Sequence, residues 1–119
     1  MVLLVDDDED LRDSIADLLR QRGYFVETAE DGHAALATIA RHSRPCVVLL
    51  DLVMPGMDGW KLLGVMQADP LMATIPIVIA SAHAATHAPL GTAGVLRKPF
   101  DLDELFAVVE RHCGPATAA

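Results

Sequence analysis

Asp6, Asp7, Asp51, Ser81 and Lys98 are the residues of this 119-residue chain whose types and placement suit one chemistry. Each stands at the end of a short, mostly apolar run. Leu3-Leu4-Val5 leads into Asp6-Asp7, Val47-Val48-Leu49-Leu50 into Asp51, Ile77-Val78-Ile79-Ala80 into Ser81, and Gly94 to Arg97 into Lys98. Unbroken Val, Leu and Ile runs of this length read as strands buried on both faces of a parallel sheet. The carboxyl edge of such a sheet is where ligands bind. Three carboxylates gathered at one edge repel one another unless a cation neutralises them. Oxygen donors with open positions suit Mg²⁺, which keeps several waters and takes a phosphate oxygen. A carboxylate in that setting can accept a phosphoryl group. The metal and the Lys98 ammonium would offset charge on the equatorial oxygens, and the Ser81 hydroxyl could donate to one of them. Taken singly, each residue has a plainer reading. Asp6 to Asp10 suit a solvated helix start with one capping residue, Asp51 a turn, Ser81 a strand end, and Lys98 a surface lysine before proline. Their joint occurrence at four strand ends in this order favours phosphoryl transfer to Asp51.

The elements that must position these groups follow from periodicity. Met1 to Val5 reads as strand one. Leu11, Ile15, Leu18, Leu19 and Arg22 recur at helical spacing behind an acidic first turn, and Gly23 closes that helix. Tyr24 to Ala29 is a half-polar second strand, placed nearer an edge. Asp31-Gly32 opens a second helix carrying Ala34, Ala35, Ile39 and Ala40, and Pro45 ends the link to strand three. Pro55, Gly56 and Gly59 form the loop after Asp51. Gly59 to Gln67 is a third helix with Trp60, Leu63 and Met66 facing inward. Ile75 to Ala80 is strand four, with Pro76 near its start, where a missing donor is tolerated. Between Ser81 and Lys98, Pro89 and Gly91 interrupt a short segment, so a shortened or irregular helix is expected there. Gly94 to Arg97 is strand five, and Leu102, Leu105, Phe106 and Val109 stripe a last helix. Five alternations of strand and helix predict an α/β fold of parallel βαβ units. The domain is expected over 1–113, with a small-residue tail over 114–119.

Composition bounds the function. A chain of this length is one domain with room for a core, here an aliphatic one, since aromatics are 4% of residues. No apolar run approaches a membrane span, and no signal peptide is read at the start. The net charge of -8 argues against nucleic acid as a direct partner of this domain. Cys46 and Cys113 match no metal or redox spacing and are read as reduced residues in or near the core, which places the protein in the cytoplasm.

Leu4-Val5-Asp6-Asp7, Leu50-Asp51-Leu52-Val53-Met54-Pro55-Gly56-Met57-Asp58-Gly59, Ser81-Ala82 and Lys98-Pro99-Phe100 together resemble the receiver domain of bacterial two-component response regulators. The resemblance runs from Met1 to about Cys113. It implies a flavodoxin-like, doubly wound five-stranded sheet in order 2-1-3-4-5. It implies phosphorylation of Asp51 from a phosphohistidine on a histidine kinase or histidine phosphotransfer protein. It further implies Mg²⁺ held by Asp6, Asp7, Asp51 and the backbone carbonyl of Val53, Ser81 as a switch hydroxyl, Lys98 as the phosphate-binding lysine, and a cis Lys98-Pro99 bond. Val53 and His83, each two residues beyond a key position, match places that tune how water reaches the acyl phosphate, although His83 equally suits an ordinary loop histidine.

The chain departs from the family pattern at Val95, where an aromatic residue usually stands three positions before the lysine. Valine has no ring to follow the switch hydroxyl inward. With the shortened segment before strand five, this predicts output through another surface, or a role as phosphate relay or sink. Homodimerisation and the downstream target are left open. The alternative within the same fold is a pseudo-receiver, an interaction module that is not phosphorylated; intact Asp6, Asp7, Asp51, Ser81 and Lys98 argue against it. A haloacid dehalogenase-type hydrolase would need a carboxylate at Val53, and a P-loop hydrolase a glycine-rich lysine motif that is absent. The His83 and His87 pair lacks a third ligand for zinc.

Overall fold

Among the described residues, nine short elements carry the fold. The computed structural model describes residues 1–41, 44–52, 54, 57–81 and 91–115, with Ser81 described by its backbone alone. In chain order they are β1 (Val2–Val5), α1 (Glu9–Gln21), β2 (Val26–Ala29), α2 (Gly32–Arg41), β3 (Val47–Leu50), α3 (Gly59–Ala68), β4 (Ile77–Ser81), β5 (Gly94–Arg97) and α4 (Leu102–Cys113). All strand pairings are parallel, in the order β2-β1-β3-β4-β5. The expected α/β fold and strand order are therefore present, with β2 at an edge. The expected irregular helix between strands four and five lies largely over 82–90, outside the described residues.

Strand side chains alternate between faces, and the two faces gather two aliphatic clusters. Leu3, Val5, Val48, Leu50, Ile77 and Ile79 pack with Ala35, Leu62, Leu63 and Met66 of α2 and α3. Val2, Leu4, Val47, Leu49, Val78 and Ala80 pack with Ile15, Ala16, Leu19, Leu105 and Val109 of α1 and α4. The three central strands are apolar along their length because helices cover them on both sides.

The helices start where their sequences direct. Asp8 caps α1 by accepting from the Leu11 amide at 3.2 Å, Asp31 accepts from the Ala34 amide at 2.8 Å, and Asp58 caps α3 by accepting from the Lys61 amide at 2.9 Å.

Four expectations are corrected. Cys46 and Cys113 are not free thiols: they form a disulfide with a Cα–Cα separation of 5.2 Å across 67 positions of sequence. Cys46 leads into β3 and Cys113 ends α4, and only the docking of that helix brings the two together. The pairing removes the argument that ran from reduced cysteines to the cytoplasm. Trp60 does not face inward: its side chain is 53% exposed, and Leu62 fills the core beside Leu63 and Met66. Pro76 precedes β4 rather than lying in it, and its carbonyl accepts from the Val48 amide at 2.9 Å. Tyr24 and Phe25 precede β2, with Phe25 83% exposed. Among the described residues, no helix is long and apolar enough to cross a membrane.

Candidate functional site

The central strands β1 and β3 end side by side, Val5 opposite Leu50, so the residues that follow them are neighbours. Between β1 and β3 the strand order reverses direction, and at such a switch point an open parallel sheet leaves a crevice at its carboxyl edge. Asp6 and Asp51 stand at this point. The Asp6 amide donates to the Ala29 carbonyl at 3.1 Å and the Asp51 amide to the Val5 carbonyl at 3.0 Å, so the sheet ladder itself sets both backbones.

One carboxylate oxygen each of Asp6, Asp7 and Asp51 lies within 4.8 Å of the others. Asp6 and Asp51 are buried, at 2% and 8% exposure, while Asp7 is open to solvent. Lys98, delivered by the end of β5, forms an ion pair with Asp6 Oδ2 and stands 3.7 Å from Asp51 Oδ2. The Lys98-Pro99 peptide is cis, as the family resemblance implied. Asp6 is held further by the Asp8 amide, which donates to Oδ1 at 2.9 Å, and by Arg12, whose guanidinium donates to its backbone carbonyl at 2.9 Å.

This donor set fits a divalent cation. Three carboxylates, two of them buried, converge on one point, and among the described residues the ammonium of Lys98 contacts two of them. The excess of negative charge at low solvent access is what a hard oxygen-binding ion offsets.

Two contributors were not legible as such in the sequence. Gly59 opens α3, as expected, but its contact with the site was not read: its amide donates to the Leu52 carbonyl at 3.0 Å. A β-carbon there would lie 2.2 Å from the Asp51 carbonyl oxygen and 2.6 Å from Leu52 Cα. Only glycine lets the helix close down on the backbone of Asp51. Arg12 belongs to no motif; it was hidden within the first turns of an acidic helix.

The remaining sequence candidates fall elsewhere. Val95 lies on β5 opposite Ile79, half-buried against the apolar cluster of α2 and α3. Val53, His83 and His87 and the side chain of Ser81 lie outside the described residues. An apolar cleft of about 310 Å³, lined by Leu11, Lys98, Pro99 and Phe100, borders the site. A larger groove of about 510 Å³ between α2 and α3 lies apart from the site: Asp6, Asp7, Asp51 and Lys98 are not among its lining residues.

Comparison with known proteins agrees with this geometry. Residues 2–110 match the model of the response regulator receiver domain. The DNA-binding transcriptional regulator NtrC of Salmonella typhimurium is 38% identical over 117 residues, covering 93% of this chain and 24% of that protein. The transcriptional regulatory protein FixJ of Bradyrhizobium diazoefficiens is 37% identical over 123 residues, covering 97% of this chain and 58% of that protein. The chain thus spans about a quarter of the length of NtrC. The receiver domain of NtrX from Brucella abortus superposes with a TM-score of 0.82 at 33% identity, covering 94% of this chain and 97% of that one. TrrA of Thermotoga maritima, solved in complex with Mg(2+)-BeF, superposes with a TM-score of 0.80 at 27% identity, covering 92% of this chain and 96% of that one. On its sheet order, its acidic pocket and these relatives, the chain belongs to the receiver domain family of response regulators.

Proposed function

We propose that this receiver, taken as residues 1–113, accepts a phosphoryl group on Asp51 from a phosphohistidine of a histidine kinase or histidine phosphotransfer protein. The observation that carries the reading is the convergence of Asp6, Asp7 and Asp51 within 4.8 Å, with Lys98 in contact with two of them. In the transfer, the phosphorus–nitrogen bond of the donor breaks, a bond forms from phosphorus to an Asp51 carboxylate oxygen, and the imidazole leaves. Hydrolysis of the acyl phosphate restores the carboxylate. Mg²⁺, when held by Asp6, Asp7 and Asp51, supplies positive charge to the phosphoryl oxygens. The Val53 carbonyl is assigned as a further ligand on the family pattern alone.

Lys98, in contact with Asp6 and Asp51, would contribute a second positive charge to the phosphoryl oxygens. Asp6 is positioned by Asp8, Arg12 and Lys98, so its orientation does not depend on the incoming group. Ser81 is assigned as the hydroxyl that donates to a phosphoryl oxygen, and Val53 and His83 as residues that tune water access. The cleft beside Lys98 offers an apolar surface to the donor protein. Valine at position 95 has no ring to swing, so output runs through another surface or the domain serves as relay or sink. A cytoplasmic location follows from this donor, not from the cysteines. Intact Asp6, Asp7, Asp51 and Lys98 give the pseudo-receiver alternative no support.

The test is labelling with acetyl phosphate, read by intact mass, with and without Mg²⁺. One Mg²⁺-dependent phosphoryl group, lost in Asp51→Asn, is the expected outcome. A folded protein that takes no label would overturn the reading.

A further inference from the structure

The disulfide lies at the opposite edge of the sheet from the acidic pocket. Cys46 stands at the amino end of β3, whose carboxyl end presents Asp51, and Cys113 is the last residue of α4. Both cysteines are half-exposed, and a cleft of about 250 Å³ lined by Met1, Tyr24, Phe25, Cys46, Cys113 and Pro115 opens beside them. Phe25, at the rim of that cleft, is largely exposed. Such a setting admits a thiolate to a cystine sulfur, which a buried disulfide would not.

What the disulfide holds is equally clear. The buried residues of α4 are Leu105 and Val109, and both lie before its last turn. Beyond Val109, Glu110 and Arg111 face solvent, and the last turn is tied down by Cys113 and by the Tyr24 hydroxyl, which donates to the Gly114 carbonyl at 2.9 Å. A covalent link thus secures a last turn that holds no fully buried apolar side chain beyond Val109. Contacts of that kind mark segments that open locally while the core stays closed.

We propose that Cys46–Cys113 is a thiol–disulfide exchange site, and that a dithiol protein reduces it to release the last turn of α4 while the sheet and the acidic pocket stay folded. One thiolate of the reductant attacks a cystine sulfur, forms a mixed disulfide and expels the other cysteine as thiolate. The second reductant thiol then attacks the mixed disulfide. Two electrons and two protons pass to the pair, leaving two thiols here and a disulfide on the reductant. The proposal does not depend on phosphorylation of Asp51, and neither does its test.

The full chain, equilibrated with glutathione disulfide, is treated under native conditions with dithiothreitol or with thioredoxin as the probe dithiol protein. It is then alkylated and weighed intact, and amide exchange is followed in parallel. No alkylation before reduction and two alkylated cysteines after it are expected. Amides over 110–114 should lose their protection on reduction, while residues 3–5 and 48–50, which exchange only through opening of the whole fold, stay protected. The double variant Cys46→Ser, Cys113→Ser should exchange like the reduced protein whatever reductant is present. Free thiols after equilibration, a disulfide that yields only in denaturant, unchanged exchange, or opening of the whole sheet on reduction would each overturn the proposal.

Discussion

At the scale of single residues, the site works by setting charges against one another. Asp6 and Asp51 are buried carboxylates that share one lysine, and Lys98 reaches Asp6 from 92 positions away. Removing that ammonium takes away a positive charge that faces both carboxylates and would stabilise charge on the transferring group. Lys98→Ala should therefore slow acetyl phosphate labelling of Asp51 by about a hundredfold, the usual cost of losing one such electrostatic contact. A time course of intact mass measures this, and an unchanged rate would remove Lys98 from the chemistry. Asp7 is different, because it is exposed to solvent while Lys98 contacts Asp6 and Asp51. Asp7→Asn should leave the fold intact and weaken Mg²⁺ binding by roughly tenfold or more, the scale on which altered metal surroundings act. Titration of Mg²⁺ against Trp60 fluorescence or by calorimetry checks it.

At the scale of elements, α3 is the most informative. Its first residue, Gly59, lies against the backbone of Asp51 and Leu52, and backbone cannot move aside as a flexible side chain can. Gly59→Ala should cost roughly 1–3 kcal/mol through overpacking and should also slow labelling, because relief of the clash shifts the end of β3. Gly64 sits one turn further along the same helix, and a β-carbon there meets nothing within 4 Å. Gly64→Ala should be neutral or stabilising by about 0.5–1 kcal/mol, since it removes chain freedom from the unfolded state without a clash. Urea melts of the two variants should thus move in opposite directions; a shift of the same sign would refute the close contact at Gly59. The caps, the alternation of strand faces and the glycine after α1 were legible, because each depends on residues a few positions apart. The outward turn of Trp60 was not, since Trp60 and Leu62 both continue an apolar pattern and only the direction of docking chooses between them.

At the scale of the whole molecule, two apolar layers cover a sheet whose one edge carries the acidic pocket and whose other edge carries the disulfide. In the chain-entropy model, a bridge across 67 positions stabilises the fold by about 4 kcal/mol relative to the open chain. Cys46→Ser should lower the stability of the oxidised protein by about that amount, measured by urea denaturation with and without reductant. Wild type should approach the variant once reduced. Equal stability of the oxidised wild type and the variant would mean that the bridge adds nothing to the fold.

The alternation of strands and helices, the aliphatic core and the residues able to do chemistry at the strand ends were legible along the chain. These are written in short-range periodicity and in residue type, which act within one element and its adjoining loops. The tertiary structure alone decided that Lys98 meets Asp6, that Gly59 presses on Asp51, and that Cys46 and Cys113 are bonded. Each of these joins groups whose separation depends on strand register and helix docking. A spacing of 67 residues specifies no distance until the sheet is assembled and α4 is laid across it.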